Sequence, residues 1–140
     1  MLDKRNLHLK AQELADCYKG TDPLKEMCLV PQEADLDEAA LKWIALAVLH
    51  GVNSNAKKLS LEVTPDGEAV VIAEYRKARL PSPGGAAARR AVEVLRRITH
   101  FEKDKEKGPL AFGWGAESLE LGVRVERTEE GDTVEIQFPE

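Results

Sequence analysis

The chain has 140 residues, of which 43% are apolar and 32% are charged, so it suits one domain with a well-solvated surface. Its formal net charge of -5 argues against strong nonspecific binding of nucleic acid by the whole molecule. No apolar run reaches the ~20 residues of a membrane span, and charged residues interrupt the N-terminal region where a signal peptide needs an apolar core. The two cysteines, Cys17 and Cys28, match neither a zinc pattern nor a disulfide framework, so we expect a cytoplasmic protein.

The segment before the first strand predicts two helices. Residues 3–18 carry apolar side chains at helical spacing. Residues 20–34 contain two prolines and little periodicity, which indicates a linker. A second helix is predicted to begin at Asp35 or Asp37, because an early carboxylate suits the positive N-terminal end of the helix dipole.

Residues 56–76 predict a β-hairpin that starts the sheet. Apolar and polar side chains alternate over residues 59–63, Pro65-Asp66-Gly67 is a turn signal, and a second apolar run covers residues 70–75. Alternation with a period of two on either side of an Asp-Gly turn is typical of a hairpin.

After a loop at residues 81–85, a third helix with one apolar face and three more strands are predicted. The strands cover residues 110–114, 119–127 and 133–138. The element order ααββαβββ indicates an α+β fold, a two-layer sandwich with a mainly antiparallel sheet. We expect an N-terminal helix and linker over residues 1–34 and the α+β domain over residues 35–140. The predicted core comprises Trp43, Ile44, Val48, Leu59, Leu61, Val70, Ile72, Val92, Leu95, Ile98, Val123, Val125, Val134 and Ile136.

Positive charge is distributed unevenly along the chain. Residues 76–105 hold nine basic and three acidic side chains, although the whole chain is acidic. A basic segment on an acidic body is a candidate contact surface for a partner. On the predicted third helix the candidates are Arg89, Arg90, Arg96 and Arg97. The alternative is a solvated helix face, and exchange of Arg89 and Arg96 for glutamate separates the two, because it is expected to weaken partner binding and leave the fold intact.

The sequence contains no recognisable catalytic constellation. The three histidines lack metal-ligand spacing, neither cysteine lies in a nucleophile motif, and there is no Walker A loop. Gly84-Gly85 precedes a predicted helix, where backbone N–H groups could bind an anion, but a helix entry without a ligand is the simpler interpretation. We therefore predict no enzymatic activity, no cofactor and no metal site.

Several short motifs follow one another between residues 36 and 138. Gly51 ends a predicted helix and precedes residues 56–62, AKKLSLE, and the next strand ends in residues 75–79, YRKAR. Arg124-Val125 and Gly131-Asp132 lie in and before later strands. This series resembles the domain that precedes the ATPase core in type II secretion and type IV pilus assembly ATPases. That family has Ala-x-x-Ile-His-Ile-Glu at the first strand and Tyr/Phe-Arg-Ile-Asp-Gly at the end of the second.

The resemblance implies a PAS-like sandwich without nucleotide hydrolysis, because the matched segment includes no ATPase core. In the family, arginines of this domain reach toward nucleotide held by the core, and Arg76 and Arg124 occupy the matching positions. In this chain, the two arginines would reach toward nucleotide held by a separate ATPase chain. The alternative is that these arginines pair with Glu62 or Glu126 on the strands. Ser60 stands where the family has histidine.

Two interpretations of function follow. The first is a non-enzymatic module that binds a protein partner, either a secretion or pilus motor ATPase or a second copy of the chain. The alternative is a PAS-like sensor of a small ligand, with a pocket lined by Trp43, Tyr75, Phe112 and Trp114. An enzyme of unrecognised type and nucleic-acid binding through residues 76–105 rank lower, since the latter requires affinity that falls steeply with salt.

Overall fold

The computed structural model describes residues 4–73, 78–80, 82–114 and 117–139. The helices are α1 (Lys4–Tyr18), α2 (Pro23–Met27), α3 (Leu36–Asn53) and α4 (Gly85–Thr99), with a 3₁₀ turn at Val30–Gln32. The strands are β1 (Lys58–Val63), β2 (Ala69–Ala73), β3 (Ala78–Leu80), β4 (Lys105–Trp114), β5 (Glu117–Thr128) and β6 (Gly131–Gln137).

The strands form one antiparallel sheet in the order β3-β2-β1-β6-β5-β4. The helices pack on one face of this sheet, with α4 lying against β1, β4, β5 and β6. The predicted α+β class, with two layers and an antiparallel sheet, is confirmed. The short edge strand β3 was not predicted from the sequence.

The predicted hairpin is β1 and β2, joined by a turn in which Gly67 has φ 91°. Leu59, Leu61 and Val63 point into the core, as expected. The prediction that Val70 and Ile72 are core residues is wrong. Both are half-buried and face away from the helices, and Val71 and Ala73 are buried instead.

The reason for this error is the pairing register. Leu61 stands opposite Val71 and Leu59 opposite Ala73, so these residues share the inner face. Strand β2 has the sequence Ala-Val-Val-Ile-Ala, which contains no polar residue to mark its outer face. Pairing with the neighbouring strand therefore decided the direction of each side chain.

Helix α3 lies at the centre of the helical layer and is buried on most sides, with 12 of its 18 residues buried. Asp35 caps its N-terminus, and the carboxylate accepts hydrogen bonds from the backbone N–H groups of Asp37 (2.9 Å) and Glu38 (3.2 Å). A helix that is apolar all round needs cover from several elements, and α1, α2 and α4 supply it together with β1.

The N-terminal segment packs against the same core. Leu7, Ala11 and Ala15 of α1 belong to the hydrophobic cluster that includes the sheet. The linker predicted at residues 20–34 instead contains α2 and the 3₁₀ turn, because Met27 and Val30 are buried and fix these turns against the core. Within the described residues, no helix combines the length and apolarity needed to cross a membrane.

Candidate functional site

The face of the sheet that points away from the helices is accessible, and we call it the open face. None of its described residues is buried. Its outward side chains include Lys58, Ser60, Glu62, Val70, Ile72, Lys105, Lys107, Pro109, Ala111, Glu120, Arg124, Glu126, Thr133, Glu135 and Gln137. The polar residues that alternate with core residues along each strand thus form a broad solvated surface.

Two cations stand side by side on this surface. Lys107 of β4 is directly opposite Arg124 of β5, and both side chains are exposed. The Ala111 carbonyl and the Gly113 N–H point away from β5 toward α1. Lys107 lies an even number of residues before both, so its backbone N–H and C=O also point away from β5. Lys107 and Arg124 therefore form a non-hydrogen-bonded pair. In such pairs the Cα atoms are about 4.5 Å apart, and like charges directly opposite each other destabilise a sheet.

The acidic residues around this pair face other cations as well. Glu126 lies 3.6 Å from Lys105 Nζ, and Glu135, which is opposite Arg124, lies 3.6 Å from Lys58 Nζ. The predicted alternative for Arg124, an ion pair with Glu62 or Glu126, is not among the ion pairs of the described residues. Lys107 and Arg124 are therefore neighbouring like charges on a face whose outward side chains, among those named above, are four cations and four carboxylates.

The edges of the sheet are poorly suited to pairing with another strand. Part of the β4 edge is covered by α1, because His8 Nε2 donates to the carbonyl oxygen of Ala111 (2.7 Å) and Gln12 Oε1 accepts from the Gly113 N–H (2.8 Å). Pro109 faces the same edge and has no N–H to donate. The opposite edge strand, β3, covers three residues in the described part of the chain. These features are typical of edges that resist strand addition, which favours contact through the face.

The arginines predicted on α4 do not form one surface with Arg124. Arg89 and Arg97 are exposed on the helical layer, on the other side of the sheet from the open face. Arg89 donates to the carbonyl oxygen of Pro65 (3.3 Å), and Arg90 pairs with Asp37 (2.5 Å). The remaining candidate, Arg76, lies outside the described residues.

Arg96 does not lie on a solvated helix face, in contrast to the sequence prediction. Its side chain is 9% exposed, and its guanidinium donates to the carbonyl oxygens of Lys103 (2.8 Å) and Asp104 (3.3 Å). Arg96 thereby ties the end of α4 to the turn before β4. The expectation that glutamate at this position leaves the fold intact is therefore withdrawn, because a carboxylate would face two carbonyl oxygens.

Two of the four aromatic residues predicted to line a ligand pocket lie in the core instead. Trp43 and Phe112 are each 1% exposed and belong to the hydrophobic core. Trp114 ends β4, but its side chain lies outside the described part of the structure, as does all of Tyr75. The two described side chains fill the core between helices and sheet and do not surround a cavity of the kind predicted.

The titratable groups with shifted pKa values have structural explanations. Burial lowers the pKa of His50, and Asp22 acts weakly in the opposite direction. The 2.7 Å ion pair between Lys42 and Glu33 raises the pKa of Lys42 and lowers that of Glu33, so both stay charged near neutral pH. In the part of the chain that the structure describes, no group of three or more His, Cys, Asp or Glu residues could hold a metal ion.

Sequence reasoning identified Arg124 but missed Lys107. Lys107 precedes the strand predicted at residues 110–114, whereas β4 begins at Lys105. Every residue from Glu102 to Lys107 is charged, so no alternation of apolar and polar side chains indicated a strand there. The strand register that places Lys107 opposite Arg124 could not be obtained from that pattern.

Comparisons with known proteins leave the family of the chain open. The chain matches no protein-family model, and no curated protein matches it.

Proposed function

We propose that the chain is a protein-interaction module that binds an acidic surface of a partner protein through the open face. The observation that carries this proposal is the exposed pair of Lys107 and Arg124. A like-charged cross-strand pair costs folding free energy, whereas an acidic partner would relieve the repulsion and gain two charged contacts. The pair is therefore better suited to a complex than to the isolated domain.

The geometry of the sheet supports contact through its face. The covered edge of β4, Pro109 and the short β3 strand disfavour strand addition. The open face extends across the sheet from β2 through β1, β6 and β5 to β4, and none of its described residues is buried. The charged side chains around Lys107 and Arg124 would form the polar rim of such an interface.

The first partner to test is a motor ATPase of a type II secretion or type IV pilus system. This choice rests on the resemblance of residues 36–138 to the domain that precedes the core of those ATPases. The PAS-like description of the fold, a cytoplasmic location and the absence of enzymatic activity are parts of the same proposal. Arg124, which occupies a family arginine position, lies within the proposed contact.

The experiment compares capture by the wild-type chain, Arg124→Glu and Arg89→Glu. Arg89 is also an exposed arginine, but it lies on the helical layer, so it is a matched control for charge reversal. We expect Arg124→Glu to weaken binding of the captured partner about tenfold, which corresponds to about 1.4 kcal/mol. Binding should also weaken as salt rises, because the contact is electrostatic.

Equal affinity of all three proteins for the partner would show that the open face is not the contact surface. Loss of binding by Arg89→Glu alone would assign the contact to the helical layer instead. Thermal unfolding of each variant, measured first, separates loss of contact from loss of fold.

A further inference from the structure

A groove of about 360 Å³ lies at one end of the sheet, beside the C-terminal turn of α3. Three half-buried apolar side chains line it: Val52 from α3, Leu119 from β5 and Phe138 directly after β6. Its volume falls within the range of roughly 300–1,000 Å³ that is typical of small-molecule sites. Apolar surface that three separate elements leave partly exposed at one place is a candidate binding site.

One wall of this groove is fixed by close packing. A Cβ atom at Gly51 would lie 2.0 Å from Cζ of Phe138, so the aromatic ring rests directly on the backbone of α3. The backbone N–H of Phe138 also donates to the carbonyl oxygen of Lys57 (2.9 Å). The ring is thus held by its side chain and its main chain, which gives the groove a preformed wall.

The charge on the described lining of the groove is positive only. Among the described residues that line it, Lys57 is the one charged side chain, and no carboxylate is present. Lys57 is exposed, so its ammonium group can meet a ligand at the mouth. An apolar lining with a single cation at the rim is complementary to a small anion that carries an apolar tail.

We propose that this groove binds a small carboxylate with an aliphatic or aromatic tail. The tail packs against Val52, Leu119 and Phe138, and the carboxylate pairs with the ammonium group of Lys57. Trp43 and Phe112, the two described aromatic residues that the sequence suggested for a pocket, do not line it. It is also independent of the open face, because Val52 and Leu119 belong to the helical side of the sheet.

The test uses sodium octanoate as the probe and 1-octanol as the uncharged probe of the same chain length. Amide chemical shifts of the full-length chain are followed during each titration. We expect saturable shifts near residues 51–57, Leu119 and Phe138 with both probes, and tighter binding of octanoate. Lys57→Met keeps the apolar stem and removes the charge, so it should weaken octanoate binding about fivefold and leave octanol binding unchanged.

Two further variants complete the experiment. Val52→Trp fills the groove from α3 and should abolish the shifts with both probes, and Leu119→Trp fills it from β5 if the first variant does not fold. Lys103→Met is the matched control, because it removes an exposed lysine next to the end of β5 opposite Leu119 and should leave both titrations unchanged.

The proposal is wrong if octanoate causes no saturable shifts around the groove, or if Lys57→Met binds octanoate as tightly as the wild type. It is also wrong if the wild-type chain self-associates through the groove. In that case Val52→Trp would make the chain monomeric in sedimentation, and the occupant would be a second copy. None of these results bears on partner binding by Arg124, which is measured separately.

Discussion

Arg96 shows how a single side chain can look like a surface residue in the sequence and be part of the fold in the structure. It belongs to an arginine-rich helix face, but its guanidinium is buried against the turn that leads into β4. Glu106 completes the turn, because its carboxylate accepts hydrogen bonds from the N–H groups of Glu102 (2.8 Å) and Lys103 (2.6 Å). These backbone contacts lower the pKa of Glu106.

Removing Arg96 should therefore destabilise the protein. We expect Arg96→Ala to lower the free energy of unfolding by about 1–3 kcal/mol, because two carbonyl oxygens lose charged hydrogen-bond donors. Arg97→Ala, one residue further along α4 and exposed, is the control and should change stability by less than about 1 kcal/mol. Chemical denaturation measures both. Equal effects of the two substitutions would mean that the contacts of Arg96 do not stabilise the turn.

His50 should make the stability of the protein depend on pH. Burial lowers its pKa in the folded state below the ordinary value of 6.5. As pH falls through about 6.5, the unfolded chain therefore takes up a proton before the folded protein does, and the folded state loses stability until the folded pKa is passed.

The measurement is the free energy of unfolding at pH 7.5 and pH 5 for the wild type and for His50→Gln. We expect the wild type to lose stability toward pH 5, and the variant, whatever its absolute stability, to lose less. If both proteins have the same dependence on pH in this interval, His50 is not responsible for it.

At the scale of elements, the antiparallel pair of β4 and β5 contains two lysines in opposite electrostatic settings. Lys107 stands opposite Arg124, whereas Lys105 stands opposite Glu126 and lies 3.6 Å from it. The same substitution at these two positions should thus change the free energy of unfolding in opposite directions.

We expect Lys107→Glu to raise the free energy of unfolding by roughly 0.2–1 kcal/mol, because it turns a like-charge cross-strand pair into an opposite-charge pair. Lys105→Glu should lower it by a similar amount, since it does the reverse. Thermal or chemical unfolding at low salt gives both values. If the open face binds an acidic partner, Lys107→Glu should also weaken that binding while it stabilises the domain. A loss of stability in both variants would contradict the pairing of Lys107 with Arg124.

At the scale of the whole molecule, α1 is joined to the rest by buried contacts. Leu7, Ala11 and Ala15 lie in the common core, and His8 and Gln12 bond to the edge of β4. The prediction of a division at residue 34 can be tested by removing this helix.

The free energy of unfolding of a chain of residues 20–140 should be at least about 2 kcal/mol lower than that of the full chain, because the deletion exposes the apolar surface that Leu7 covers. It should also self-associate, since the edge of β4 becomes accessible to another strand. Chemical denaturation and sedimentation measure the two effects. A shortened chain that is monomeric and equally stable would show that residues 1–19 are an attachment to an independent domain.

The sequence by itself determined the features that depend on neighbours along the chain. The Asp-Gly turn and the alternation around it specified the β1–β2 hairpin, and the early carboxylates limited the start of α3 to Asp35 or Asp37. The apolar face of α4 and the alternation in β5 and β6 then gave the α+β class, because each pattern has the period of its own secondary structure.

The tertiary structure decided the features that depend on residues far apart in the sequence. The burial of Val71 in place of Ile72, the contact of Arg96 with the turn before β4, and the pairing of Lys107 with Arg124 each require a second element at a defined register. A one-residue shift in register reverses every side chain of a strand, so no local pattern in an all-apolar or highly charged stretch could settle these positions.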